Sequence, residues 1–308
     1  NDMETSPQGR AVRVWLGYAL PTLAPAPHRQ KLYDQLGQIF IPATVQFMGP
    51  LGLQAYIPSI VPTSRHAVVP DEIALVFYPD QATYESACHE SCGGRAYASL
   101  HSTVFSFSTE AGRPASHSAF PAQFRGDPSQ TGAMQVLDHG ESWQSGRVIS
   151  EVMVRTEQTP EVFRGAVCNR FTGLREVLPT GLSGVFLYLD DDLCVCWSLW
   201  TRNPQPLAEG LGERALLSES VPCSVPPSPF ARYAGLHVQA GDSLCLLVKV
   251  FAPADAPLEA LHARPLQATQ TFTGTALQAG VGAWQDSQEA MSLDRRIANA
   301  NNLLHAEL

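Results

Sequence analysis

The chain has 308 residues, of which 44% are hydrophobic and 16% are charged, a composition typical of a globular protein with a sizeable core. Its formal net charge is −9 without a basic run to offset it, which argues against nucleic acid or an anionic membrane surface as a partner. No apolar run reaches the roughly 18 residues that a transmembrane helix needs. The seven cysteines are an odd number, which favours reduced thiols and a cytoplasmic location.

The first predicted strand covers residues 11–20, and its two faces differ: Val12, Val14 and Leu16 on one, and Arg13, Trp15 and Gly17 on the other. Apolar residues then recur at helical spacing over 32–47. Pro42 falls inside that run, so we expect a kink or a break there. If the aliphatic face of the strand packs on helices, its mixed face is left for a cavity or for a second sheet.

Residues 53–60 and 72–78 predict a second and a third strand. Asp80 is a plausible N-cap for a second helix, and Gly93-Gly94 is expected to end it. Residues 98–107 alternate and are rich in aromatic side chains, which predicts a fourth strand. The order of elements is therefore strand, helix, strand, strand, helix, strand.

Three segments of this first half, "GLQAY", "LVFYPDQATYESA" and "HSTVFSF", resemble the dimeric α+β barrel superfamily when taken with that order. The resemblance implies an α+β fold of ferredoxin-like modules that pair their sheets, either between two chains or as tandem repeats in one. It also implies that ligands bind in the cavity beside the mixed face.

The second half predicts a partial repeat of the same pattern. Thr159-Pro160-Glu161 marks a strong helix start, and a hairpin is expected around Asp190-Asp191-Asp192. No clear second helix follows. We predict four parts: a first module over 10–108, a linker or active-site loop over 109–146, a second module over 147–255, and a tail over 256–308 that ends in a helix. The tandem modules would form a monomeric pseudo-dimer, with a homodimer as the alternative.

The main candidates for catalysis are His101 on the predicted fourth strand and Arg95 and Tyr97, which precede that strand at the same parity. An arginine holds a carboxylate or an enolate, whereas histidine and tyrosine take and return protons. This set suits proton abstraction next to a carbonyl or a carboxylate. The alternative is structural: His101 as a hydrogen-bonded core residue, and Arg95 as a cation at a helix C-terminus.

Further candidates lie on the first strand and in the long loop. Arg13, Trp15 and Tyr18 are predicted to bind substrate from the first strand. The loop cluster of Asp138, His139, Glu141, Trp143 and Arg147 supplies His139 as a fourth catalytic candidate and Trp143 as a residue that closes over a ligand. An ordinary polar turn explains this cluster equally well.

Metal and nucleotide chemistry find little support in the motifs. Cys88 and Cys92 lie one helical turn apart but lack a second ligand pair, and the three consecutive aspartates do not follow the EF-hand pattern. There is no phosphate-binding glycine loop, no Gly-x-Ser-x-Gly and no His-Glu-x-x-His. We expect neither a metal nor another cofactor.

Three functional hypotheses follow. The first is a cofactor-independent lyase or isomerase that uses acid–base chemistry on a small organic or sugar-acid substrate. The second is a haem-dependent enzyme of the same superfamily, with one axial ligand drawn from His89, His101, His139 and His237. The third is a non-catalytic ligand-binding or assembly protein.

Overall fold

Two six-stranded β-sheets packed face to face carry the fold of residues 10–109, 112–224 and 235–248, the part of the chain that the computed structural model describes. The strands of the first sheet are β1 (Ala11–Gly17), β2 (Ala55–Ile60), β3 (Glu72–Tyr78), β4 (His117–Ala119), β11 (Val221–Ser224) and β12 (Leu244–Leu247). Those of the second sheet are β5 (Ala122–Gln123), β6 (Gly132–Asp138), β7 (Arg147–Val154), β8 (Leu182–Leu189), β9 (Leu193–Trp200) and β10 (Glu213–Glu219). The described α-helices are α1 (Arg29–Gln35), α2 (Ile41–Met48), α3 (Gln81–His89), α4 (Cys92–Leu100) and α5 (Pro160–Glu176).

Each sheet contains the strand order of a ferredoxin-like module. The first sheet includes the order β2-β3-β1-β4 and the second the order β10-β7-β9-β8, with antiparallel neighbours throughout these runs. When the strands are numbered from one to four within each module, both runs have the order 2-3-1-4, the second being read from its other edge. The chain is therefore α+β with two modules of this type, as the sequence predicts.

The two faces of β1 pack against the opposite partners from those predicted. Val12, Val14 and Leu16 pack against the second sheet, together with Val148 and Phe186. Trp15 on the mixed face belongs to a different core, which lies between the first sheet and the helices. The prediction that the aliphatic face meets the helices is wrong, because that face finds an equally apolar surface on the other sheet.

The first long helix passes through Pro42 without a break. Residues Leu36–Phe40 form a π-helical turn between α1 and α2, and Pro42 lies in the first turn of α2. A proline has no N–H to donate to the preceding turn, and a wider turn is one way to accommodate it. The predicted disturbance thus takes the form of a π-helical turn.

The predicted strand over 98–107 is wrong. The chain forms α4 and a short 3-10 turn there, and the fourth strand of the module is β4, at His117–Ala119. Asp80 caps α3 as predicted, accepting a hydrogen bond from the Thr83 N–H at 2.7 Å. Gly93-Gly94 does not end that helix. Instead Ser91 caps α4 by accepting from the Gly94 N–H at 2.7 Å.

Gly94 is needed for the close approach of α4 to α3. A Cβ atom at this position would lie 1.7 Å from the backbone oxygen of Ala87. We therefore expect Gly94→Ala to lower the free energy of unfolding by about 1–3 kcal/mol, as overpacking typically does. Urea denaturation measures the loss. Gly165→Ala on α5 is the control, because its Cβ would meet nothing within 4 Å and alanine favours helix; equal losses in the two variants would contradict the close-approach argument.

The second module keeps the predicted helix and hairpin but has no second helix among its described residues. Thr159 caps α5 by accepting from the Val162 N–H, and β8 and β9 form the hairpin around Asp190–Asp192. In place of a second helix, the segment after β9 is held by buried Glu151, which accepts from the N–H groups of Leu207 and Ala208 at 3.0 Å each. The module closes on β10, and β12 belongs to the first sheet, where it pairs with β2.

The described helices include none that is long and apolar enough to cross a membrane. The predicted helix at the end of the tail over 256–308 lies outside the described residues.

Candidate functional site

A cavity of about 230 Å³ lies between the outer face of the first sheet and helices α2, α3 and α4. We call it the Glu72 pocket, after the carboxyl group on its sheet side. Apolar and aromatic side chains form most of its wall: Trp15, Phe40, Met48, Tyr56, Ala74, Val76, Tyr78 and Tyr84. The mixed face of β1 thus borders a cavity, as the sequence analysis expects of that face.

Glu72 is the first residue of β3 and has no solvent exposure. Neither of its carboxylate oxygens has a hydrogen-bond partner among the described residues. Burial raises the pKa of Glu72 to about 8, against a smaller opposing effect of the nearby Trp15 side chain. The carboxyl group is therefore mostly protonated at pH 7 and titrates close to neutrality.

Two other buried polar groups border the pocket without a partner. The Tyr56 hydroxyl and the Trp15 indole Nε1 make no hydrogen bond with a described residue. Burial raises the pKa of Tyr56 well above its usual value, so this hydroxyl keeps its proton. Unpaired buried polar groups are costly, and three around one cavity mark a place that a polar ligand group can satisfy.

Tyr97 reaches the pocket from α4 and is fixed as a hydrogen-bond donor. The Thr44 hydroxyl donates to the Phe40 carbonyl oxygen at 2.9 Å, so its single proton is used there. The Tyr97 hydroxyl, 2.7 Å from Thr44 Oγ1, must then donate to Thr44. Burial raises the pKa of Tyr97, against the opposing effect of the Thr44 bond, so Tyr97 stays neutral.

His101 follows α4 directly and is enclosed by aromatic rings. Its ring centroid lies 4.8 Å from that of Tyr97, 5.0 Å from Phe40 and 5.5 Å from Trp15. Burial lowers the pKa of His101 to about 4, although bonds to the Tyr97 and Ala98 carbonyl oxygens act in the other direction. Nδ1 donates to those carbonyl groups, so the neutral ring keeps its lone pair on Nε2.

Arg13 borders the other side of the pocket from β1. Its Nη2 donates to the Ser118 hydroxyl at 2.7 Å, and its guanidinium carbon lies 4.4 Å from the Phe120 ring centroid and 5.0 Å from that of Tyr84. Its Nε is buried and has no partner among the described residues. The cation is thus held in place by two aromatic faces and by Ser118.

The structure brings together four of the eight predicted site residues: Arg13, Trp15, Tyr97 and His101. Arg95 is half-buried on α4 but is not part of the pocket wall. Tyr18 donates to the Val68 carbonyl at 2.6 Å, and His139 is exposed on the loop after β6. None of the last three borders the pocket.

Trp143 also lies elsewhere. It is buried between Phe77 and Phe186 and borders a separate cavity of about 430 Å³ with Arg10 and Gln54. In the same cluster, Asp138 is paired with Arg10 at 2.8 Å and Arg147 with Glu219. The predicted loop cluster is thus mainly a set of structural contacts around the end of the inter-sheet core.

Sequence reasoning missed Glu72, Tyr56 and Thr44. A signal existed for Glu72, because it shares strand parity with Ala74, Val76 and Tyr78 and so faces the same side of the sheet. Tyr56 pairs with Val76 across β2 and β3 and lies on that side too. A carboxylate at the first position of an apolar strand is, however, usually a solvated strand end.

Haem does not fit the Glu72 pocket. Its volume of about 230 Å³ is below the roughly 300–1,000 Å³ of pockets that hold drug-sized ligands, and a tetrapyrrole is larger than most of these. Of the four candidate axial ligands, His89 and His101 border the pocket, whereas His139 and His237 are exposed away from it. Among the described residues, no group of three or more His, Cys, Asp or Glu side chains is arranged to hold a metal ion.

Solved structures that are similar to part of this chain include the following two. A provisionally named monooxygenase from Lactobacillus acidophilus NCFM is 8% identical, over 63% of this chain and 78% of its own, with a TM-score of 0.31. A second, from Fusobacterium nucleatum subsp. nucleatum ATCC 25586, is 10% identical over 63% of this chain and 77% of its own, also with a TM-score of 0.31. Likeness at this level carries no argument about the reaction. No protein-family model matches the chain, and no curated protein matches it.

Proposed function

We propose that this protein is an acid–base enzyme, an isomerase or a lyase, in which Glu72 moves a proton next to the carbonyl group of a small organic substrate. One observation carries the proposal: a fully buried carboxyl group borders a cavity and has no partner among the described residues. Burying a carboxyl group without a hydrogen-bond partner costs several kcal/mol, so proteins seldom do it. Such groups are found mainly where a function requires them.

The pKa of Glu72 suits this role. A general base or acid is most effective when its pKa lies near the working pH. With a pKa of about 8, Glu72 is a carboxylate in about one tenth of the molecules at pH 7, and that carboxylate is a stronger base than an exposed glutamate. The same group, once protonated, is a competent acid for the return step.

The proton and its electrons can be followed through either reaction. The Glu72 carboxylate takes a proton from the carbon beside the carbonyl, and the C–H electrons move into an enolate. The Tyr56 O–H and the Trp15 N–H are unused donors at the pocket and are suited to stabilise the enolate oxygen. Glu72 then returns the proton to another carbon, which is isomerisation, or to a group leaving from the neighbouring carbon, which is elimination.

We assign Tyr97 and His101 a smaller role in catalysis than the sequence predicts. With its pKa lowered to about 4, His101 is neutral at pH 7 and is a weak base. Tyr97 spends its proton on Thr44. We assign both to shaping the pocket wall beside the substrate; their predicted roles in proton transfer stay predictions.

The proposal also includes the architecture implied by the resemblance, a pseudo-dimer of the dimeric α+β barrel type within one chain. It is supported by the matching strand order of the two modules and by the shared core between their sheets, in which Val14 and Leu75 of the first module pack with Val195 and Trp197 of the second. Analytical ultracentrifugation of the full chain tests it, since a pseudo-dimer fills its own sheet interface and need not self-associate.

Deuterium uptake tests the proposed chemistry. The full chain is incubated in deuterium oxide with small ketones, including neutral benzylacetone and the keto acid 4-acetylphenylacetate, and exchange beside the carbonyl is followed by NMR. We expect exchange in the native protein and a loss of at least about a hundredfold in Glu72→Gln, the usual minimum for a general base.

The matched control is Glu151→Gln. Glu151 is also a buried glutamate, but it accepts two backbone hydrogen bonds in the second module, outside the Glu72 pocket. Exchange should persist in this variant. Equal exchange in native protein and Glu72→Gln, with both folded by circular dichroism, would remove Glu72 from the reaction.

A further inference from the structure

The Glu72 pocket has two chemically different ends. On the antiparallel pair β1 and β3, Gly17 is opposite Glu72 and Arg13 is opposite Val76. Glu72 and Val76 are four residues apart on one strand and on the same face, which at strand spacing separates their Cα atoms by roughly 13 Å. Glu72 and Arg13 therefore mark opposite ends of the sheet side of the pocket.

The Arg13 end is cationic and lacks an anion. Among the described residues, no carboxylate forms an ion pair with Arg13; its polar partner is Ser118, and the rings of Phe120 and Tyr84 flank it. The Nε atom is buried and unpaired. A planar guanidinium without an anionic partner is suited to a carboxylate, which accepts charge-assisted hydrogen bonds.

The Glu72 end is uncharged for most of the molecules at neutral pH and offers hydrogen bonds instead. The protonated carboxyl group of Glu72 is itself a donor, and the unpaired indole N–H of Trp15 lies nearby. Tyr56 is opposite Val76 on the neighbouring strand, so its backbone lies level with Arg13. A carboxylate ligand group placed at the Glu72 end would meet the negative form of Glu72, whereas a carbonyl or hydroxyl group would not be repelled. Between the ends the wall is apolar, formed by Phe40, Ala74 and Tyr78 among others.

The geometry points to a substrate class, an inference that rests on the proposed function: small monocarboxylic acids with an aromatic or unsaturated body, bound with the carboxylate on Arg13 and a carbonyl group at Glu72. The size agrees with this class. At about 30 Å³ per water in the liquid, the cavity of about 230 Å³ corresponds to roughly eight water molecules. That space holds a ring with a short acid chain and little more.

Binding of 4-acetylphenylacetate, whose carboxylate and carbonyl groups lie at opposite ends of a ring, and of its amide to the full chain tests the inference. The two probes differ in charge at one end and share the ketone and the ring. Isothermal titration calorimetry should show the acid binding at least about tenfold tighter than the amide, as a charge-assisted hydrogen bond in a half-buried site implies. Arg13→Gln should abolish this preference by weakening the acid alone.

Two further variants complete the test. Arg13→Lys keeps the positive charge and should retain part of the preference, which covers the case in which Arg13→Gln does not fold. Arg65→Gln removes an exposed arginine outside the pocket and should leave the preference unchanged. Equal affinity for acid and amide in the native protein, binding of neither probe, or a preference that survives Arg13→Gln would each overturn the assignment.

The outcome is separable from the proposed function. Deuterium exchange into neutral benzylacetone depends on Glu72 and does not require an anion at Arg13. If that exchange depends on Glu72 while the acid shows no preference, the carboxylate end is wrong and the acid–base chemistry stands. If neither benzylacetone nor the acid exchanges, yet the acid binds through Arg13, the pocket binds this class of ligand without proton transfer.

Discussion

Glu72→Gln is expected to stabilise the protein by about 5 kcal/mol above pH 8 and by little near pH 5. In the unfolded chain the Glu72 carboxyl ionises near its usual pKa of 4.5, whereas burial raises the folded-state pKa to about 8. Between these two pH values the folded state keeps a proton that the unfolded state has lost, so native stability falls as pH rises. At about 1.4 kcal/mol for each pKa unit, the total is on the order of 5 kcal/mol, and the glutamine variant does not bear it.

Urea denaturation of both proteins at pH 5 and pH 9 measures this difference. Comparing the variant with the native protein at each pH cancels the titration of all other groups. Glu85→Gln, which removes an exposed carboxylate from α3, controls for the loss of one negative charge. The difference in stability between Glu72→Gln and the native protein should widen from pH 5 to pH 9. If it does not, the pKa of Glu72 is not raised in the folded state. The expected gain would come with the loss of exchange described above, a trade between stability and activity that is common at active sites.

Asp71→Asn is expected to destabilise the protein by about 3–5 kcal/mol, the usual cost of breaking a buried ion pair. Asp71 is 5% exposed and pairs with Arg29, also 5% exposed, and with Arg113 at 2.7 Å. It also accepts from the Ala19 N–H at 2.6 Å. Asparagine keeps the shape but leaves two arginines without their anion, one of them buried.

Chemical denaturation at pH 7 gives the loss, and Glu213→Gln is the comparison. Glu213 also accepts from two basic side chains, those of Arg65 and His66, but its ion pair with Arg65 is exposed to solvent, and exposed pairs contribute little. We expect a much smaller loss there. If the two variants lost equal stability, the burial of the Asp71 cluster would not be what matters.

The sequence predicted correctly those strands and helices that are specified by residues close together in the chain. The alternation in β1, the uninterrupted apolar run of β3 and the Thr159 cap of α5 each specify a strand or a helix within a few residues. Residues 98–107 failed because His101, Thr103 and Phe105 alternate like a strand, while the Ser91 cap had already begun a helix that reaches Leu100. The alternation there serves packing of the turn after α4, with Phe105 against Trp15.

The candidate site was predictable only in part, because a side chain's partners lie far away in the sequence. Arg13 and Trp15 were found from the unusual face of one strand. Asp71 and Glu72 are adjacent carboxylates with opposite situations: Asp71 is fully paired with distant Arg29 and Arg113, and Glu72 has no partner among the described residues. Nothing in the sequence near them distinguishes the two. His139 and Trp143 were predicted to belong to a loop that closes over a ligand. In the structure the His139 N–H donates to the Ser183 carbonyl, and Trp143 packs against Phe77 and Phe186.

The sheet that carries Glu72 and Arg13 has its other face in the core shared by both modules, where Val14, Ile73 and Leu75 are buried. Its backbone cannot shift without disturbing packing on two sheets at once, so the spacing between the Cα atoms of Glu72 and Arg13 is fixed. The helix α3 on the opposite wall is different, because Ala87 is its one buried residue, whereas five of the nine residues of α4 are buried. Of the elements around the pocket, α3 is therefore the one whose displacement disturbs the least packing, and the sheet sets the length of the molecule that can bind.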